Sequence, residues 1–230
     1  VAGATTIRDL KLSARPEDKG WRILSASAQL PGRSTLEADG RLIGGEAPRF
    51  IGNLLLAVRQ PTGFAAWLSE DIEDAMRTLP AAGFRAKVAI DRLKQTFSDM
   101  ELILGPTKLT GAIERTSLES AKPVVVARLG AEMIDADTAA AFLAMASKET
   151  VREHDLDFSL KADSVAVGGV KAGAIDAALR LTGERLDVDR LSIGDLSGAS
   201  VAATGSVRDL RGRPLGDLDI TVTATDLTSL

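Results

Sequence analysis

The sequence predicts a mainly β fold with short helices, built from antiparallel meander modules that repeat along the chain. Three observations carry this. Apolar and polar residues alternate with period two through much of the 230 residues, the spacing that puts successive side chains on opposite faces of a strand. The links between such runs are short and rich in Gly and Pro, which suits hairpins and is too short for parallel crossovers. A block of strands followed by a helical segment recurs, as in repeats whose units share one core.

Along the chain, strands are predicted over residues 7–14, 21–30, 35–42 and 50–58. Residues 62–79 change period: Phe64, Trp67, Leu68, Ile72, Met76 and Leu79 fall at helical spacing. Ser69 can break this stretch into two helices, acting as an N-cap ahead of the acidic turn Glu70 to Asp74. Strands follow over 84–90, 100–104, 108–113 and 124–129, then a short helix over 137–147 with Asp137 as N-cap. The last strands are 155–162, 175–181, 185–189, 199–207 and 217–225. The final one is the clearest, with Leu218, Ile220 and Val222 on one face and Asp217, Asp219 and Thr221 on the other. Counting matches to the alternating template gives about thirteen strands. Turns are marked by Pro31-Gly32, Gly44-Gly45, Gly105-Pro106, Gly168-Gly169 and Gly183-Glu184.

The repeat is visible in short words. Ala38-Asp-Gly-Arg-Leu42 precedes Pro48, a strand and Ala65-Ala-Trp-Leu68; Leu109-Thr-Gly-Ala-Ile113 precedes Pro123, a strand and Ala140-Ala-Phe-Leu143. The distance from proline to leucine is 20 residues in both. Ala203-Thr-Gly-Ser-Val207 begins a third copy, with Pro214 and a strand after it. The expected modules are residues 1–80, 81–150 and 151–230, the third truncated, in one continuous sheet. The start at Val1 and the stop at Leu230 read as the ends of an excised piece of a longer protein.

Composition excludes several functions. The net charge is −4, without the basic face that nucleic acid requires. Six Phe, two Trp and no Tyr leave few platforms for stacking bases. The absence of Cys removes disulfides, thiolate nucleophiles and Cys-ligated metals. The longest apolar run, Ala139 to Ala146, is eight residues, against about twenty for a membrane-spanning helix.

The stretch Leu156-Asp-Phe-Ser-Leu-Lys-Ala-Asp163, followed by residues 168–181, 185–193 and 198–206, resembles the C-terminal repeat of the AsmA-like family in order, spacing and residue type. Gly20-Trp-Arg-Ile23 and Gly45-Glu-Ala-Pro-Arg-Phe50 are similar to words of the same family. The resemblance covers essentially the whole chain. It implies a bacterial envelope protein of the periplasm, anchored in the inner membrane by a segment outside this chain. It also implies likeness to bridge-like lipid transfer proteins, whose β modules form a long U-shaped apolar groove. The implied work is phospholipid movement between inner and outer membranes, or support of outer-membrane assembly. The implied partners are phospholipids and the two membranes; protein partners are unknown, and no cofactor or catalytic motif is carried over. The segment 70–79 is longer than that family suggests.

A meander of this many strands does not stay flat: beyond roughly ten strands open sheets curl, split or close. The apolar face then lines either an open groove or a dry core, and periodicity does not separate the two. Leu, Val, Ile and Ala walls suit acyl chains. The candidate lining is Leu54, Leu56, Val88, Ile90, Leu102, Leu104, Leu156, Phe158, Leu160, Leu179, Val188, Leu218, Ile220 and Val222. The alternative is a dry-core scaffold or protein-interaction module without lipid.

Chemical constellations are weak. His154 is the only imidazole, so any Ser-His-Asp or zinc site would need it; at a strand start between Glu153 and Asp155 it reads as a solvated or hydrogen-bonded side chain. The pairs Asp155 and Asp157, Asp187 and Asp189, and Asp217 and Asp219 lack a calcium-loop pattern and read as the wet face of strands. Gly105 to Gly111 is not a P-loop, and Ser197-Gly198 is not a nucleophile elbow. Trp21 and Trp67 read as core or rim packing. No enzyme activity is expected.

Overall fold

A computed structural model describes residues 7–68, 81–117, 121–135, 138, 153–167, 170–196, 198–210 and 212–224. The elements in order are β1 (Arg8–Glu17), β2 (Gly20–Leu30), β3 (Ser34–Ile43), β4 (Arg49–Val58), α1 (Pro61–Leu68), β5 (Ala82–Ile90), β6 (Lys94–Leu104) and β7 (Thr107–Thr116). They continue with β8 (Val124–Asp135), β9 (Asp155–Val167), β10 (Val170–Ala172), β11 (Ile175–Thr182), β12 (Arg185–Leu196), β13 (Ala199–Arg208) and β14 (Leu215–Ala224). Thirteen strands pair one after another in chain order, and β10 pairs back on β9 off this path. The result is a mainly β, mostly antiparallel open sheet.

Antiparallel pairing fails at one joint. β8 and β9 run parallel, from Val124 beside Asp155 to Asp135 beside Ala166. Nineteen residues separate Asp135 from Asp155. That length can return the chain to the opposite rim, which the Gly- and Pro-bearing links cannot. The predicted helices over 69–79 and 137–147 lie outside the described residues, apart from Thr138. There Asp135 accepts the Thr138 amide N–H at 3.1 Å.

Several strands run longer than alternation predicts, because bulges interrupt the period. β6 begins at Lys94 rather than Met100. Its register against β7 shifts between Phe97 and Met100, so these two side chains share a face at a spacing of three. β12 extends to Leu196 past a shift between Val188 and Leu191. β2 shifts against β3 between Ile23 and Ala26.

Each shifted strand faces a strand carrying a glycine in one particular geometry. Gly40 of β3, Gly111 of β7 and Gly205 of β13 have φ of 151°, 146° and 140°. A Cβ on them would lie 2.3 Å from the Ile51 carbonyl oxygen, 2.0 Å from that of Arg128 and 2.1 Å from that of Asp217. Both the dihedral and the close approach therefore demand glycine. These are the glycines at the centre of the three recurring words.

The core lies mid-sheet. Met100, Val88 and Ala86 are 1%, 3% and 5% exposed, with Phe50, Leu54, Phe84, Phe97 and Leu129 among the side chains packed against them. Phe84 and Phe97 meet edge to face at 5.9 Å. At one rim, α1 starts against the β2–β3 turn, where the Gln60 amide donates to the Gly32 carbonyl at 2.9 Å. Phe64 of α1 is buried and stacks at a tilt on Trp67, 5.8 Å away. The end strands are different: every described residue of β14, and all of β1 but Glu17, is exposed.

Candidate functional site

Directly paired residues of neighbouring strands share a face, so the register can be followed across the sheet. Leu56 of β4 pairs with Phe84, Phe84 with Leu102, Leu102 with Leu109, and Leu109 with Ala131. The row continues through Ala162, Ile175, Ile193 and Val201 to Val222 of β14. It crosses ten strands without a polar side chain. The parallel joint does not interrupt it.

All fourteen candidate lining residues lie on this face. Leu54 and Leu56 come from β4, Val88 and Ile90 from β5, and Leu102 and Leu104 from β6. Leu156, Phe158 and Leu160 of β9 pair with Leu181, Leu179 and Ala177 of β11, and Leu179 pairs with Val188 of β12. Leu218, Ile220 and Val222 close the series on β14. Their burial is uneven. Val88 and Leu104 are 3% and 5% exposed, whereas Leu218, Ile220 and Val222 are 44%, 62% and 65% exposed. The same face is covered in the middle of the sheet and open to solvent at its last strand.

The chain exposes 14467 Å² in all, while a compact protein of 24.1 kDa exposes about 10,000 Å². Exposed apolar side chains grouped along one strand face, as Leu218, Ile220 and Val222 are, mark a binding surface or an interface in soluble chains.

The opposite face is laced with ion pairs between neighbouring strands. Arg85 meets Glu101 at 2.6 Å, Arg128 meets Asp157 at 2.6 Å, and Arg190 meets Asp176 at 2.8 Å. Hydrogen bonding from Arg85 holds the Glu101 carboxyl below its ordinary range, and Arg180 does the same for Asp189. Of the alternating carboxylates, Asp157, Asp187 and Asp189 pair with arginines, and Asp155 accepts the Gly183 amide N–H at 2.9 Å. Among the described residues no group of His, Asp and Glu is placed to hold a metal ion. No described helix is long and apolar enough to cross a membrane.

His154 is hydrogen-bonded: its Nε2 accepts from the Arg115 Nε at 3.2 Å. Arg115 was not singled out by sequence. Its partner Val125 pairs in turn with Leu156, so it stands on the apolar face. Gln95, its partner on β6, stands beside it. Arg115 lies two residues past Ile113 on the same face, beyond the predicted end of that strand, whereas the bulge at Phe97 and Met100 hides the placement of Gln95 from simple alternation. No family model matches the chain, and no curated protein or solved structure matches it either.

Proposed function

We propose that the apolar face binds acyl chains, and that the chain is a non-enzymatic, lipid-handling segment of an AsmA-like envelope protein. The observation that carries this reading is the unbroken apolar row from Leu56 to Val222, with its β14 end at Ile220 and Val222 open to water. Aliphatic walls need no directional partners, so many weak contacts share the binding. The sheet curls about this face into a U-shaped groove, with residues 1–80, 81–150 and 151–230 as successive modules. The matching geometry of Gly40, Gly111 and Gly205 supports three modules. In this reading the segment works in the periplasm, tethered to the inner membrane from outside this chain, and conducts phospholipid between the inner and outer membranes.

The test is transfer of fluorescent phospholipid between vesicles by folded variants. Ile220→Asp, on the lining, should slow transfer several-fold; Thr221→Asp, one residue away on the other face, should leave it near the native rate. Equal effects of the two would remove the basis for a groove.

A second reading is a dry-core scaffold without lipid. The closed packing of Ala86, Val88 and Met100 favours it locally. Failure to bind phospholipid or an apolar dye would make it the better account.

A further inference from the structure

We propose that Arg115, with Gln95 and His154 beside it, is a phosphate-receiving site at the lip of the apolar face, taking the anionic head of an amphiphile whose chain lies along that face. The inference rests on the acyl-chain reading above and adds a head-binding position to it.

The lip row runs through the pairs Ile90, Gln95, Arg115, Val125, Leu156 and Leu181. It is apolar except for the two residues in its middle. Of the charged residues paired in register from β2 to β14 along the thirteen-strand path, only Arg115 and Asp135 alternate onto this face. Asp135 is occupied at the opposite rim, accepting from the Thr138 amide and hydroxyl. Among the described strand residues paired in this register, Arg115 is the cation of the face.

Its partner differs in kind from that of six other strand arginines. Arg41, Arg85, Arg128, Arg180, Arg185 and Arg190 each meet a carboxylate. Arg115 instead donates its Nε to the imidazole Nε2 of His154, a neutral acceptor. An imidazole nitrogen that accepts a hydrogen bond brings no negative charge to the guanidinium. The adjacent Glu114 alternates to the other face and pairs with Lys94 at 2.9 Å. Among the described residues no carboxylate meets Arg115.

The bond to His154 engages the guanidinium through Nε, and among the described residues neither terminal amino group meets a carboxylate. That planar fork matches two oxygens of a phosphate, and the Gln95 amide next to it adds a further donor. A cation set beside apolar side chains, with no carboxylate against it among the described residues, is costly to desolvate unless an anion arrives with the apolar ligand. The face is long enough to hold an acyl chain along β7. From Arg115 to Thr107, the far end of β7, is eight residues, or about 26 Å. One leaflet's hydrocarbon layer is about 15 Å, half of a bilayer core. The far end offers buried neutral hydroxyls, Thr107 and Ser34, and, among the described strand residues in register, no competing cation on the face. A chain laid along β7 therefore has its head at Arg115 and its tail toward the α1 rim.

Phosphate could reach this site on a lipid or as a free ion, and binding measurements below the micellar concentration separate the two. The probes are dodecyl phosphate, dodecyl maltoside and inorganic phosphate, titrated into the native chain, Arg115→Gln and Arg115→Lys, each checked for native circular dichroism. The native chain should bind dodecyl phosphate about tenfold or more tightly than dodecyl maltoside. Arg115→Gln should abolish that preference without changing maltoside binding, and Arg115→Lys should keep part of it. Should Arg115→Gln fail to fold, His154→Ala, which frees the guanidinium to move, should weaken the preference instead. Inorganic phosphate binding with the same dependence on Arg115 supports the site and makes the free ion its ligand. Equal binding of the two detergents by native chain and Arg115→Gln overturns the phosphate site and leaves acyl binding standing. Binding of neither detergent overturns both.

Discussion

Met100 sits directly across from Gly111 in the β6–β7 pair. Gly111 in turn pairs with Leu129 of β8. Met100 is 1% exposed, and Leu129 packs against its cluster. The missing side chain at Gly111 lies between two large apolar ones, and its Cα presses on the neighbouring strand. One glycine thus serves the strand spacing and the core together.

Gly111→Ala should therefore be costly. Its Cβ would meet the Arg128 carbonyl oxygen at 2.0 Å, and strained backbone of this kind costs about 1–3 kcal/mol before any strand displacement. Gly183→Ala, at a turn with nothing within 4 Å, should cost only about 1–2 kcal/mol for its left-handed φ. Gly130→Ala, with a nearest atom at 3.7 Å, should be close to neutral. Urea midpoints of the three variants give the order.

Met100→Ala should lower stability by about 2–5 kcal/mol, because it empties the best-covered site of the core. Leu218→Ala, 44% exposed on the same face, should cost much less. Thermal unfolding followed by circular dichroism separates them, and equal losses would mean that the mid-sheet core is not where stability resides.

Acid should weaken the sheet. Hydrogen bonds from Arg85, Arg185 and Arg180 hold Glu101, Asp187 and Asp189 below the usual carboxylate range. Their folded values lie under the unfolded ones, so folding favours the charged forms. This contribution is complete above the unfolded values of about 4 and is lost as pH falls through the folded ones. The groups are exposed, so the effect is modest and shrinks in salt. Urea midpoints between pH 6 and pH 3, in low and high salt, should show it; a midpoint rising toward acid would contradict it.

Face assignment was legible in the sequence because alternation has a strict period of two. Leu218, Ile220 and Val222, and Leu156, Phe158 and Leu160, could be placed on one side from their spacing alone. Bulges are not legible: Phe97 and Met100 are three apart, so alternation starts β6 too late and does not place Gln95 beside Arg115. The parallel β8–β9 joint was missed for another reason. Local turn chemistry describes hairpins, and the long connection after Asp135 carries no local sign of which rim it returns to. The recurring words around Gly40, Gly111 and Gly205 were visible as a pattern, whereas their shared close approach to the next strand needed coordinates.

The most direct measurement is site-specific photocrosslinking to radiolabelled phospholipid in cells making the intact parent protein. Probes sit at Ile220 and Leu160 in one set and at Thr221 and Lys161, their neighbours on the opposite face, in the other. The account predicts lipid adducts at Ile220 and Leu160 and none at Thr221 and Lys161. Adducts at neither pair in well-expressed protein, or at both pairs equally, would contradict an acyl-binding apolar face.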